Sequence, residues 1–284
     1  MEEASGTGGS PQWRGARYVA LGSSFASGPG LGPRAAGSVA QARRTTANYP
    51  HLLAERLGLR LVDATSSGAG TAHVMWARQH GQPPQADALT HDTRLVTVTV
   101  GGNDIGYATS MMLAGLPVRS VPLLRAAHLV RSAAAPATAA RSLALLTASM
   151  LLVAQLLRRR APLARILFVE YLAVVPPDPR MRVPVMSARQ AARARLLAAA
   201  LKQATEQAAA TAGCELVGVA DASGDHHAWS SEPWTSAALL PGGEDAPLPF
   251  HPNRAGMAAV AAMVEDHLSR PEPGRHSQSP AAAR

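Results

Sequence analysis

Four short runs of β-branched and aliphatic residues recur along the chain. They are Tyr18–Leu21, Arg60–Ala64, Leu95–Val100 and Arg165–Val169, and a fifth of the same kind follows at Glu215–Ala220. Each is continuously apolar rather than alternating, and each ends near Gly, Ser, Pro or Asp. A strand of that kind has both faces covered, as in a parallel sheet. Between the runs lie stretches with helical character. Tyr49–Leu57 carries Pro50 near its start, and an Ala/Leu-rich region at 120–160 is expected to break at Pro136. Ser187–Ala212 stops before Gly213, and a last helix is expected over Asn253–Leu268. Strands alternating with helices predict an α/β fold, a three-layer α/β/α with a central, mostly parallel five-stranded sheet.

One such domain is expected over 16–270, because no internal repeat or linker interrupts it. Residues 1–15 read as a flexible leader and 271–284 as a flexible tail. The chain has 284 residues, 47% hydrophobic and 16% charged, which supports a real core and excludes a disordered or collagen-like chain.

The net charge is +8, yet Lys202 is the only lysine, and apart from Arg158-Arg159-Arg160 the arginines are scattered. Aromatics are 4%. Scattered Arg with few stacking rings argues against a nucleic-acid partner. The longest uncharged apolar run, Ser142–Leu157, is 16 residues, short of the ~20 that span a bilayer. Its apolar residues recur at helical spacing, so a buried or half-buried helix is expected and stable membrane insertion is not. No apolar signal-like segment is visible at the start, and Cys214 is the single cysteine, so a cytoplasmic location is expected. Cys214 itself reads as a buried, inert thiol. No metal site and no cofactor are expected: His226-His227 have no cysteine beside them and read as a loop, and Gly-rich Ser27–Gly30 is not followed by Lys-Ser/Thr.

In open α/β sheets, ligands bind beyond the carboxyl ends of the strands. Gly22-Ser23-Ser24 follows the first run, Ser66-Ser67-Gly68 the second, and Gly101-Gly102-Asn103-Asp104 the third. Phe250-His251-Pro252-Asn253 precedes the last helix. Singly, each has an ordinary reading as a turn or cap. Together they bring a hydroxyl, bare glycine amides, a carboxamide and an imidazole to one edge. Asp104 is expected to hold its loop. Trp76, Trp229, Trp234, Met111 and Met112 read as core. The loop from Trp229 to Phe250 is a candidate pocket lining.

In these blocks the chain resembles the SGNH (GDSL-type) ester hydrolases, and their actinobacterial esterase/lipase-like branch in particular. The matching segments are YVALGSSFASGPG at 18–30, SSGAGT at 66–71, VTVTVGGNDIGY at 96–107 and FHPNRAGM at 250–257. The resemblance implies a flavodoxin-like fold and hydrolysis of a small-molecule or lipid ester through an acyl-serine. It makes Ser24 the nucleophile and His251 the general base. The oxyanion hole would combine the amides of Ser24 and Gly68 with the carboxamide of Asn103. Two departures stand out. Ser23 occupies the position of the family's Asp, which supports the turn. Leu248 stands where an acid three residues before the histidine is usual. The imidazole is therefore expected to be oriented by a main-chain carbonyl near Leu248, or by Asp245 or Glu244 folding back. An acyltransferase using the same site, and a non-catalytic binding protein that keeps the fold, are the alternative readings.

Overall fold

The computed structural model describes residues 11–115, 136–237 and 248–271. Five strands form one sheet: β1 Arg17–Gly22, β2 Arg60–Asp63, β3 Thr93–Thr99, β4 Arg165–Val169 and β5 Glu215–Val217. Their order is β2-β1-β3-β4-β5, and every neighbouring pair is parallel. This is the flavodoxin-like doubly wound order, which puts a topological switch at β1/β3. Register aligns Gly22 with Thr99 across that switch, and Val98 with Phe168 one strand further on. β3 and β4 are buried almost throughout, whereas edge strand β2 is half-exposed. The fifth strand is shorter than its apolar run, because Gly218 ends it and a short helix, Val219–Ala222, takes over.

The helices are α1 Ser24–Ser27, α2 Tyr49–Leu57, α3 Thr71–Met75, α4 Tyr107–Gly115, α5 Pro136–Arg160, α6 Ala188–Thr211, α7 Val219–Ala222 and α8 Arg254–Ser269. α2 packs on α8, while α3 and α6 pack on α5. With the right-handed crossovers that parallel strands require, these two groups cover opposite faces of the sheet. Local chemistry sets the helix ends. Asn48 accepts the amide of His51 at 3.0 Å to open α2, and Gly58 closes it with φ 64°. Ser187 and Gln190 form a reciprocal capping box on α6.

Between the layers sits one apolar core. Tyr18 and Tyr49 are fully buried, and their hydroxyls bond the β3 threonines Thr97, at 2.7 Å, and Thr99, at 3.1 Å. Such partners remove the penalty of burying a phenol. Helix α5 is half-buried as its spacing predicts. Leu146, Met150, Val153 and Leu157 face the core, while Leu145 and Leu152 are 60% and 51% exposed. Among the described residues no helix is long and apolar enough to cross a membrane. Trp13, inside the expected leader, is buried in the core, and Gly15 donates to the Gly58 carbonyl at 2.7 Å. Trp76 departs from expectation: it caps the short helix α3 and is 64% exposed. Cys214 lies just before β5, half-buried, and burial raises its thiol pKa.

Candidate active site

The carboxyl ends of β1, β2 and β3 and the start of α8 converge, as their positions in the fold require. The chain leaves β1 at Gly22, whose φ is 137°. A Cβ there would lie 2.4 Å from the Thr99 carbonyl oxygen, so only glycine fits. Ser23 then caps α1, and its amide donates to Thr99 O at 2.9 Å. Ser24 is the first residue of α1. The amides of a first helical turn have no partner inside the helix, so the Ser24 N–H is a donor facing the edge.

His251 is 3% exposed, and its Nε2 lies 2.8 Å from Ser24 Oγ. Its Nδ1 lies 2.8 Å from the carbonyl oxygen of Pro249. A carbonyl accepts only, so Nδ1 carries the proton and Nε2 is left to accept from the serine hydroxyl. The orienting group is therefore Pro249, and not Leu248, one residue earlier. The cause is Phe250, whose left-handed backbone (φ 58°) turns the preceding carbonyl back to the imidazole. Asp245 and Glu244 lie outside the described residues. Burial drives the His251 pKa down to about 4; the Pro249 carbonyl opposes this and the Arg43 charge adds to it. The imidazole is thus neutral at pH 7, the form that can take a proton.

The histidine loop is pinned by main chain. Ser236 N donates to His251 O at 2.8 Å, Phe250 N to Ser236 O at 2.9 Å, and Asn253 N to Trp234 O at 2.9 Å. Asn253 opens α8 by accepting from Gly256 N at 2.9 Å. A Cβ on Gly256 would lie 2.2 Å from Trp234 O, which explains the glycine in this motif.

Gly68 adopts φ 81°, a conformation that glycine alone takes without strain. Crowding is not the reason, since a Cβ there would sit at an ordinary 3.5 Å from Gln79. The Asn103 carboxamide donates one N–H to Ala69 O at 2.8 Å, which fixes it and leaves its second N–H. Asp104 holds its loop as expected: it accepts from Thr71 N at 3.1 Å and Thr71 Oγ1 at 2.5 Å.

Three residues around the site, Tyr171, Gln85 and Arg43, were not legible as site residues. Ser23, where the family places Asp, is fully buried, and its Oγ lies 2.7 Å from Tyr171 Oη. The same phenol accepts from Gly102 N at 3.2 Å. It thus ties the serine turn to the loop that carries Asn103. Tyr171 stands two residues past the end of β4, so reading the fourth strand end would have found it. Gln85 clamps Gly22 from both sides, accepting from its N–H at 2.7 Å and donating to its carbonyl at 3.0 Å. Nothing in the pattern around Gln85 signals this. Arg43, near enough to bias His251, comes from the loop before α2.

The remaining candidates have structural partners. The His226 ring stacks on Trp234 with centroids 4.0 Å apart. His227 Nδ1 accepts the Trp229 amide at 3.1 Å. Trp229 packs near Phe250, with centroids 6.1 Å apart, so the loop approaches the histidine through an aromatic contact. Met111 is core and Met112 half-buried.

A flavodoxin-like α/β/α sheet with Ser24, Gly68, Asn103 and His251 on one edge defines the SGNH class of folds. The model of the GDSL-like lipase/acylhydrolase family matches residues 20–259, and the chain belongs to that family. Lipase 2 of Streptomyces coelicolor is 47% identical over 87 residues, 31% of this chain and 29% of that protein. A Streptomyces rimosus lipase is 35% identical over 125 residues, 44% of each chain. The matched segments thus span less than half the length of these curated relatives. Crystal structures extend the likeness. Phospholipase A1 from Streptomyces albidoflavus superposes with TM-score 0.67 at 25% identity, covering 90% of this chain and all of that one. The extracellular lipase from Streptomyces rimosus gives 0.68 at 26% identity with the same coverage.

Proposed function

We propose that the chain hydrolyses carboxylic esters through an acyl-serine. The observation that carries this reading is the 2.8 Å approach of His251 Nε2 to Ser24 Oγ, with Nδ1 fixed by Pro249. In the proposed reaction His251 takes the Ser24 proton as Oγ attacks the ester carbonyl. The amides of Ser24 and Gly68 and the free N–H of Asn103 receive the oxyanion. The protonated imidazole then gives its proton to the leaving alcohol, and water repeats the cycle to release the acid. No acidic side chain is needed to orient the imidazole, because the carbonyl does so. It lends no full charge to the imidazolium, so this pair relies more on the oxyanion donors.

Family membership and the lipase names of the relatives support the ester as substrate class. An acyltransferase would use the same residues, with an alcohol in place of water. Ser23 and the missing acid at Leu248 favour a binding protein. The hydrogen bonds of Ser23 and of His251 Nδ1 answer both points, since each lost group has a replacement. Cytoplasmic residence is part of the same proposal and rests on the single cysteine; cell fractionation tests it.

The test is hydrolysis of p-nitrophenyl acetate through octanoate by wild type and by Ser24→Ala, His251→Ala and Ser23→Ala. Activity that disappears in the first two and largely survives in the third is expected. A wild type no faster than Ser24→Ala on every ester rejects the hydrolase reading. Added alcohol that diverts acyl groups to a new ester at the expense of acid would favour the transferase.

A further inference from the structure

A cavity of about 1240 Å³ lies on the β4–β5 side of the carboxyl edge. That exceeds the roughly 300–1,000 Å³ common for small-molecule sites. Neither Ser24 nor His251 lines it. Tyr107 and Tyr171 do, and with Phe25 they form the partition between the cavity and the histidine. Phe25 lies 4.5 Å from Tyr171, 6.3 Å from Tyr107 and 5.2 Å from His251 by ring centroids, and all four residues are buried. The cavity is therefore a compartment behind the serine turn, not an extension of it.

Its wall is apolar, built from Leu172, Val174, Val183, Met186, Ala198 and Leu201. Its lip carries Met181 and Leu196, two of the most exposed large hydrophobic side chains described, at 46% and 71%. Exposed apolar groups at a cavity mouth mark a surface that meets an apolar ligand.

Charge is unevenly placed around it. At one end Lys202 is offset by Glu206 at 2.8 Å and Asp221 at 3.2 Å, with Glu170 close by. At the mouth stand Arg180, Arg182 and Arg195. Arg180 is paired with Asp178. Arg195 donates to two neutral acceptors, Pro176 O at 2.7 Å and Met181 O at 2.8 Å, and its charge also acts on Asp178, so a single carboxylate serves both Arg180 and Arg195. Ser187 and Ala188, the start of the long helix α6, also line the mouth and add the positive end of its dipole.

We propose that this cavity is a second ligand site, separate from Ser24 and His251, for a single-chain amphiphile with an apolar tail and an anionic head. The tail lies against the aliphatic wall. The head meets Arg182, Arg195 and the start of α6. A long-chain carboxylate has this chemistry.

Calorimetric titration of the whole chain with laurate, below its micellar concentration, tests the site without turnover. Its result therefore stands whether or not the chain hydrolyses esters. Expected is one saturable site, with dodecanol and dodecyltrimethylammonium binding at least about tenfold more weakly. Leu196→Asp and Arg182→Gln, both at exposed positions, should each weaken laurate about tenfold, as one apolar or one charged contact is worth. Ala198→Trp, which projects an indole from the wall into the cavity, should weaken binding at least about tenfold. Ser24→Ala should leave affinity within about twofold. No laurate binding overturns the proposal. So does equal binding of the neutral or cationic chain, or full affinity in Leu196→Asp and Arg182→Gln. A loss in Ser24→Ala would move the ligand to the serine site and overturn it as well.

Discussion

The hydroxyl of Tyr171 stands 2.7 Å from the Oγ of Ser23, and it also accepts the amide of Gly102 at 3.2 Å. One phenol thus joins the turn of the proposed nucleophile to the loop of a proposed oxyanion donor. Its ring also crowds Gly102, where a Cβ would lie 2.8 Å from Cε1. Tyr171→Phe keeps the ring and removes both bonds, leaving a buried amide and a buried hydroxyl unpaired. Unfolding in urea should show a loss of about 1–3 kcal/mol. Turnover should fall about tenfold with KM little changed, because positioning and not ester binding is affected. Ser23→Ala removes only one of the two bonds, and its loss in turnover should be smaller.

The pH dependence follows from the environment of His251. Burial is the main cause that brings its pKa to about 4. The base form therefore persists well below the ordinary histidine range. The acid limb of kcat/KM should break near pH 4, and not near 6.5, in a protein that stays folded there. Stability carries the same signature. Between the folded and unfolded pKa the unfolded chain binds the extra proton. The contribution of neutral His251 is thus complete above about pH 6.5 and is lost as pH falls toward 4, on the order of 3 kcal/mol in all. His251→Gln should flatten that part of the stability profile. An unchanged slope between pH 4 and 6.5 would refute the assignment.

The legibility of this site in the sequence follows from where each signal resides. The serine, the Gly68 amide, Asn103 and His251 sit in short motifs directly after strands or before a helix, so topology alone brings them to one edge of the sheet. Strands β1 and β4 were legible because continuous apolar runs have one structural solution in a covered sheet. The shortening of β5 was not, because Val219 and Ala220 are as apolar as a strand and only Gly218 marks the break. The choice of Pro249 over Leu248 depends on a left-handed backbone at Phe250, which a non-glycine residue does not advertise. Gln85 is fixed by a contact 63 residues away, to which no local pattern refers.

Gln85 offers the sharpest test of such long-range support. Its carboxamide takes both main-chain groups of Gly22, the residue that redirects the chain into the serine turn. Gln85→Leu has similar bulk but no hydrogen-bonding groups. It leaves the buried Gly22 amide unpaired, while the Gly22 carbonyl keeps the Ser66 amide at 2.9 Å. A loss of about 1–3 kcal/mol is expected by denaturant unfolding, with a fall in turnover that Gln85→Glu partly restores. Glu supplies the acceptor for the amide but not the donor for the carbonyl. Equal behaviour of the two variants would show that the amide bond is not what matters.

Far from the site, Glu215 on β5 closes the opposite end of the sheet. Arg165 Nε meets its Oε1 at 2.8 Å, and His267 Nε2 lies 3.0 Å from its Oε2. Arg165 also donates to the carbonyl oxygens of His267 and Leu268, tying β4 to the end of α8. Burial alone would raise the Glu215 pKa; the bonds and charges of Arg165 and His267 overcome it and hold the carboxyl at about 2. Glu215→Gln leaves the Arg165 guanidinium, 8% exposed, without its counter-charge. The expected cost is about 3–5 kcal/mol, read as a lower urea midpoint. Because α8 begins just after His251, its loosening should also make turnover more temperature-sensitive while leaving the acid limb of the pH profile in place. Replacing Arg165 and Glu215 together by Met and Leu should recover much of the lost stability, since an apolar pair of similar bulk carries no desolvation cost. A double variant no more stable than Glu215→Gln would show instead that the bonds of Arg165 to the α8 carbonyls, and not the ion pair, hold this end together.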